Sequence, residues 1–101
     1  MSPMNKRIYI SGKITGNDNY QTEFAAAEER IRAAGDIPIN PAKLNEVMPQ
    51  SNWNAYIDVC LTILEKGNID AIYFLTNWRD SLGASLEQKR AKDLKIKITY
   101  E

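Results

Sequence analysis

Apolar and polar positions along this chain change period several times, and each change marks an element. Arg7-Ile8-Tyr9-Ile10-Ser11 is a short β-rich run ended by Gly12, which predicts a first strand. Gly12 to Gly16 follows as a loop with a glycine at each end. From Asp18 or Asn19, either of which can cap a helix, Tyr20, Phe24, Ala27, Ile31 and Ala34 recur at spacings of three and four. That is an amphipathic helix to about Ala34, with Gly35 as its left-handed stop. Glu28, Glu29, Arg30 and Arg32 fall mostly outside the stripe and read as its solvated face.

Ile37-Pro38-Ile39-Asn40-Pro41 predicts a second strand, and the internal proline places it at a sheet edge, because proline cannot donate to a ladder. A polar connection of about ten residues follows, Lys43 to Asn52, with Pro49 inside it; so long a connection in so small a domain is often a binding loop. Ser51 or Asn52 then caps the clearest helix of the sequence. Trp53, Tyr56, Ile57, Cys60, Leu61 and Leu64 form its stripe, and Gly67-Asn68 stops it. Ile69 to Thr76 is a nearly continuous apolar run, as in a central parallel strand buried on both faces. A helix from about Ser81 to Leu94 has a sparser set of apolar positions: Leu82, Leu86, Ala91 and Leu94. Ile96 to Tyr100 alternates and predicts a fourth strand.

The order β-α-β-α-β-α-β predicts an α/β fold, a parallel sheet with helices on both faces. Right-handed crossovers make strand order 2-1-3-4 the simplest layout. That order reverses between strands one and three, and ligands of open α/β sheets bind at such a switch point. Ser11-Gly12-Lys13 after strand one would face Trp78 to Gly83 after strand three, with Glu87 on the first turns of the helix just inside the crevice. Glu87 is therefore the candidate reacting group.

Composition narrows the chemistry. The 101 residues amount to one domain. Thirteen basic residues balance thirteen acidic ones, so no global field favours a nucleic-acid polymer or an acidic membrane. No apolar run approaches the roughly 20 residues needed to span a bilayer, and MSPMNKR has no signal-peptide core, so a cytoplasmic setting is expected. The single cysteine, Cys60, has no partner for an internal disulfide and lies inside an apolar stripe, as a buried structural thiol would. The chain has no histidine, which excludes imidazole triads and zinc sites of the usual Cys/His kind. Carboxylates, hydroxyls, tyrosines and backbone dipoles remain.

Neither a GxxxxGK[ST] phosphate loop nor a GxGxxG fingerprint is present. Lys13 and Arg79 either meet a phosphate or carboxylate or are simply solvated. Trp78 either stacks on a base or sugar or packs in the core or an interface. Tyr9 either orients Glu87 with its hydroxyl or is a packed core tyrosine.

YISGKITG near the start, NPA after strand two, the WNAYIDVCLTIL helix and WRDSLGASLE with the ITYE ending resemble the small, often phage-encoded domains related to nucleoside 2-deoxyribosyltransferases. The resemblance covers nearly the whole chain and implies a flavodoxin-like three-layer α/β/α fold. It implies no cofactor, a nucleoside or nucleotide as ligand, and a homo-oligomer whose sites neighbouring subunits help complete. It gives Glu87 the position of the nucleophile that attacks C1′ and forms a glycosyl ester. Tyr9 takes the position of the tyrosine that orients it, and Asp58 that of an aspartate that binds or protonates substrate. Ser11, Gly12, Lys13, Trp78, Ser81, Gly83 and Ala84 would line the substrate site. The chain departs from the pattern at Ser81, six positions before Glu87, where relatives have an aspartate, and at Lys13, where they have proline. The residues thus leave two readings, an N-glycosidic transferase or hydrolase and a non-catalytic nucleotide-binding module.

Overall fold

The computed structural model describes residues 5–48 and 52–101. Its strands are β1 (Arg7–Ser11), β2 (Ile37–Ile39), β3 (Ala71–Phe74) and β4 (Lys97–Tyr100), and its helices α1 (Tyr20–Ala33), α2 (Trp53–Lys66) and α3 (Leu82–Asp93). Short 3-10 helices cover Pro41–Glu46 and Trp78–Asp80. The four strands form one parallel sheet in the order β2-β1-β3-β4, as predicted. Pro38 pairs opposite Ile8 on the edge strand. β1 matches its predicted run, whereas the other strands are shorter than the runs that announced them; Ile69-to-Thr76 contributes four residues to the ladder.

Two-residue alternation divides the sheet into faces. Ile8 and Ile10 join Phe24, Ala27 and Ile31 of α1 and Leu75 in one core. Tyr9, Ile72 and Phe74 face the other way, against Tyr56, Ile57, Cys60 and Leu64 of α2 and Ala84 and Ala91 of α3. The result is a three-layer α/β/α, flavodoxin-like sandwich with one helix on one face and two on the other.

Three local expectations are corrected. The face α3 buries consists of Gly83, Ala84, Glu87 and Ala91, whereas Leu82 is 68% exposed and Leu86 and Leu94 are also exposed. Small residues were selected there for close approach, and hydrophobicity alone mis-set the face. Glu28 is not solvated but buried, because it lies one turn after Phe24 at the border of the stripe. Its carboxylate accepts from Arg32 at 2.6 Å and Asn40 at 3.2 Å and pairs with Lys43, fastening α1 to the segment after β2. That segment is not irregular: Asn40 caps it by accepting from the Ala42 N–H at 3.0 Å, and Leu44 packs on the core. Gly67-Asn68 stops α2 as expected, with Asn68 in the left-handed conformation (φ 56°) and Gly67 at φ −87°.

Other boundaries follow their signals. Gly35 takes φ 89° after α1. Asn52 caps α2 by accepting from the Ala55 N–H at 3.1 Å; the alternative cap, Ser51, lies outside the described residues, as does Pro49. Asn19 occupies the α1 cap position without a side-chain capping bond.

Candidate active site

The chain leaves the carboxyl ends of β1 and β3 toward opposite sides of the sheet order, and the first turns of α3 lie over this switch point. Ser81 caps α3, its hydroxyl accepting from the Ala84 N–H at 3.1 Å. A Cβ at Gly83 would stand 2.8 Å from Ile57 Cδ1, and Ala84 and Ala91 are buried. This run of small side chains lets α3 settle close to the sheet, and Glu87, on the same face, is carried down to it. On the β1 side, a Cβ at Gly12 would meet Leu75 at 2.8 to 3.1 Å, so only glycine lets the chain leave the strand there.

Tyr9 and Ser11 are two residues apart on β1 and so share the face that looks at α3. Both reach Glu87. The Tyr9 hydroxyl donates to Oε2, and the Ser11 hydroxyl donates to Oε1 at 2.7 Å. Glu87 is only 5% exposed, and Tyr9 is fully enclosed. Burial raises the Glu87 carboxyl, the Tyr9 and Ser11 hydrogen bonds pull it back, and the balance lies at about 7. Burial, reinforced by the Glu87 charge, keeps the Tyr9 phenol well above its ordinary value, so Tyr9 remains a donor. Cys60, beneath the same group, is pushed up to about 12 by burial and then by Glu87, which makes it the inert core thiol expected from its stripe.

Above Glu87 opens a cleft with a cavity volume of about 100 Å³. Pockets that swallow a whole drug-sized ligand run to roughly 300–1,000 Å³, so this one encloses one end of a ligand and leaves the rest at its mouth. Of the predicted site residues, Ser11, Gly12, Ser81, Gly83, Ala84 and Glu87 line it, with Tyr9 underneath. Three others do not join them. Asp58 is exposed on the outer side of α2. The Lys13 stem passes beside Gly16, and its N–H donates to the Asn77 side chain at 3.1 Å. Trp78 packs against Phe74 (centroids 5.0 Å apart) and Tyr100 (5.9 Å), with the Arg79 guanidinium 5.4 Å from its ring centre. Of the two readings left open for Trp78, packing is the one realised.

The rest of the lining was not read as site from the sequence. Ile14, Phe24, Trp53, Tyr56 and Ile57 supply apolar walls, and the 3-10 segment after β2 contributes Pro41 and Asn45. The Tyr56 hydroxyl donates to the Pro41 carbonyl at 3.1 Å and pins that segment to α2. The length of the β2–α2 connection was the signal that it borders the site. No Lys or Arg side chain lines the cleft among the described residues. Nor do these contain a cluster of three or more Cys, Asp or Glu side chains set to hold a metal ion, or a helix long and apolar enough to cross a membrane.

Fold and site together define a small open-sheet α/β domain with a buried acid at its switch point. The chain belongs to the family described as a domain of unknown function, DUF4406, whose profile matches residues 6–100. No curated protein and no solved structure matches it.

Proposed function

We propose that this domain cleaves or transfers the N-glycosidic bond of a nucleoside, with Glu87 as nucleophile. One observation carries the reading: a buried carboxylate at the switch point is held on both oxygens by hydroxyl donors and ionises near neutrality. A group so placed can exist as a fixed, weakly solvated anion facing the cleft, which is what attack on an oxocarbenium-like carbon requires. In the step, a Glu87 oxygen forms a bond to C1′ while the C1′–N bond breaks and its electron pair leaves with the base. The base takes its proton from water at the open mouth. Water or a second base then attacks C1′, and the carboxylate is released. Tyr9 and Ser11 keep the carboxylate oriented throughout and lower its basicity enough for it to depart. The resemblance of the YISGKITG and WRDSLGASLE segments to nucleoside 2-deoxyribosyltransferase-like domains supports the same assignment.

The cationless lining favours an uncharged nucleoside over its 5′-phosphate. Incubating the protein with the common 2′-deoxynucleosides and their monophosphates, with release of free base followed chromatographically, tests the reading. Base release from nucleosides, lost in Glu87→Gln while the circular dichroism spectrum is kept, is the expected result. Silence of the wild-type protein across the whole panel would remove it.

A second reading has its own observation. Asp58 points away, so among the described residues the cleft holds no second carboxyl to act as acid. The domain would then bind a nucleoside without cleaving it. Glu87→Gln would keep binding, and ligand at a hundredfold excess over its dissociation constant would stabilise the fold by about 2.7 kcal/mol. Either reading carries an assembly of several copies, which sedimentation of the pure protein measures directly.

A further inference from the structure

Asn45 differs from the hydroxyl groups nearest Glu87 and along the α2 and α3 walls. Ser11 and Tyr9 are committed to Glu87, Ser81 to the α3 cap, and Tyr56 to the Pro41 carbonyl. The Asn45 side-chain nitrogen is closed off from solvent and has no hydrogen-bond partner among the described residues. Asn45 lines the cavity that Glu87 floors, so a turn about its Cβ–Cγ bond would carry this donor and its two N–H bonds to the cavity wall. A buried donor without an acceptor destabilises the fold that contains it, so its retention calls for a partner that arrives from outside.

The surroundings fix where that partner comes from. Asn45 sits on the 3-10 segment Pro41–Glu46, which is fastened at its start by the Asn40 cap, on the α1 side by Glu28 with Asn40 and Lys43, and on the α2 side by Tyr56. Its backbone is braced on both sides, and among the described residues the side-chain nitrogen has no acceptor. The neighbouring lining is apolar (Ile14, Trp53, Tyr56, Ile57), the kind of wall against which a flat ring or sugar face packs, leaving orientation to a few placed polar groups.

We infer that Asn45 is the specificity-determining residue of the cleft, donating its side-chain N–H to a hydrogen-bond acceptor of the bound nucleoside. This rests on the nucleoside reading above. The acceptor is a carbonyl oxygen or ring nitrogen of the base, or a sugar hydroxyl oxygen. In all these cases Glu87 supplies reactivity and Asn45 selects what is presented to it. A site built to satisfy a buried donor discriminates strongly, because an analogue without the acceptor leaves that donor unpaired.

The test compares wild type, Asn45→Leu, Asn45→Asp and Glu87→Gln by ligand-free thermal melting, by nucleoside-cleavage kinetics, and by calorimetric titration with deoxynucleosides, free bases and 2′,3′-dideoxynucleosides. Asn45→Leu replaces the unpaired amide with an apolar group of similar size, so its ligand-free melting temperature should equal or exceed that of wild type. Its KM should rise tenfold or more with a much smaller change in kcat. Asn45→Asp, which offers acceptors only, should lose binding as well. Loss of free-base binding in Asn45→Leu assigns the acceptor to the base; unchanged free-base binding, together with a penalty for the missing 3′-hydroxyl that wild type shows and Asn45→Leu has lost, assigns it to the sugar. A lower melting temperature in Asn45→Leu with unchanged KM would make Asn45 structural and overturn the inference, as would full binding by Asn45→Asp. If wild type binds these ligands through Asn45 but releases no base, the catalytic reading fails and this inference stands. If none of the probes binds wild type, both fall.

Discussion

Glu87 holds a proton more tightly in the folded chain than in the unfolded one, since its carboxyl rises from the ordinary 4.5 to about 7. The neutral form is therefore the one the fold favours. Its contribution is fully present below pH 4.5 and is lost as pH climbs through about 7, a difference on the order of 3 kcal/mol. Glu87→Gln keeps the neutral shape and cannot ionise. Urea denaturation should show wild type and Glu87→Gln closest at pH 4.5 and the variant more stable by roughly that amount at pH 8; a gap independent of pH would contradict the burial account. Under the proposed reaction, reactivity would run the opposite way, because only the carboxylate could attack. Base release should rise with pH through about 7 in the free enzyme. Tyr9→Phe and Ser11→Ala each remove a donor that favours the charged form, so both should move this acid limb to higher pH. An unshifted limb in both variants would mean that the hydroxyls do not tune Glu87. A gain in stability and a loss of nucleophile thus meet in one side chain.

Within the elements, α3 sets the depth at which Glu87 stands. Ala91 is fully buried one turn beyond Glu87 and outside the cleft lining. Ala91→Leu should lift the helix from the sheet, costing about 1–3 kcal/mol in denaturant and lowering turnover, although no ligand touches the position. Leu82→Ala, on the exposed side, should stay within about 0.5 kcal/mol of wild type. The sequence pattern put Leu82 and Ala91 in one apolar set, because a periodicity of apolar residues cannot distinguish a face filled by side chains from one that must remain thin. Strand order, by contrast, was readable from the proline of β2 and the apolar run of β3. The switch point left Tyr9 two readings, orienting Glu87 or packing in the core, and the structure realises both. Alternation already put Ser11 on the Tyr9 face, but its bond to Glu87 needs the spacing between sheet and helix, which no local pattern carries. Asp58, placed by the resemblance, lies off the 53, 56, 57, 60, 61, 64 stripe, so off the packed side of α2 and outside its own chain's cleft. Asn45 left no periodic trace, since a 3-10 turn between two elements has none.

Across the molecule, the two faces of the sheet do different work. The α1 side is bound together by long-range ties: the Glu101 N–H donates to the Phe74 carbonyl at 2.8 Å, while its carboxylate accepts from Thr76 and from Arg30 at 2.6 Å. The α2–α3 side holds the cleft and its unspent polar groups. Formal charges cancel over the whole chain, and no cation lines the cleft among the described residues. KM for an uncharged nucleoside should therefore change little between low and high salt, since there is no attraction to screen; a steep salt dependence would point to a charged ligand instead. The position of Cys60 has a practical consequence. It is the sole thiol, 1% exposed, packed with Tyr9 and Tyr56 under the reactive carboxylate, and it holds its proton up to about pH 12. A disulfide reagent can reach it only when the floor of the cleft comes apart. The rate of thiol release in such an assay is thus a clock for local opening, built into the unmodified chain. A nucleoside seated above the floor should slow that clock in proportion to its occupancy, so binding can be followed without any turnover.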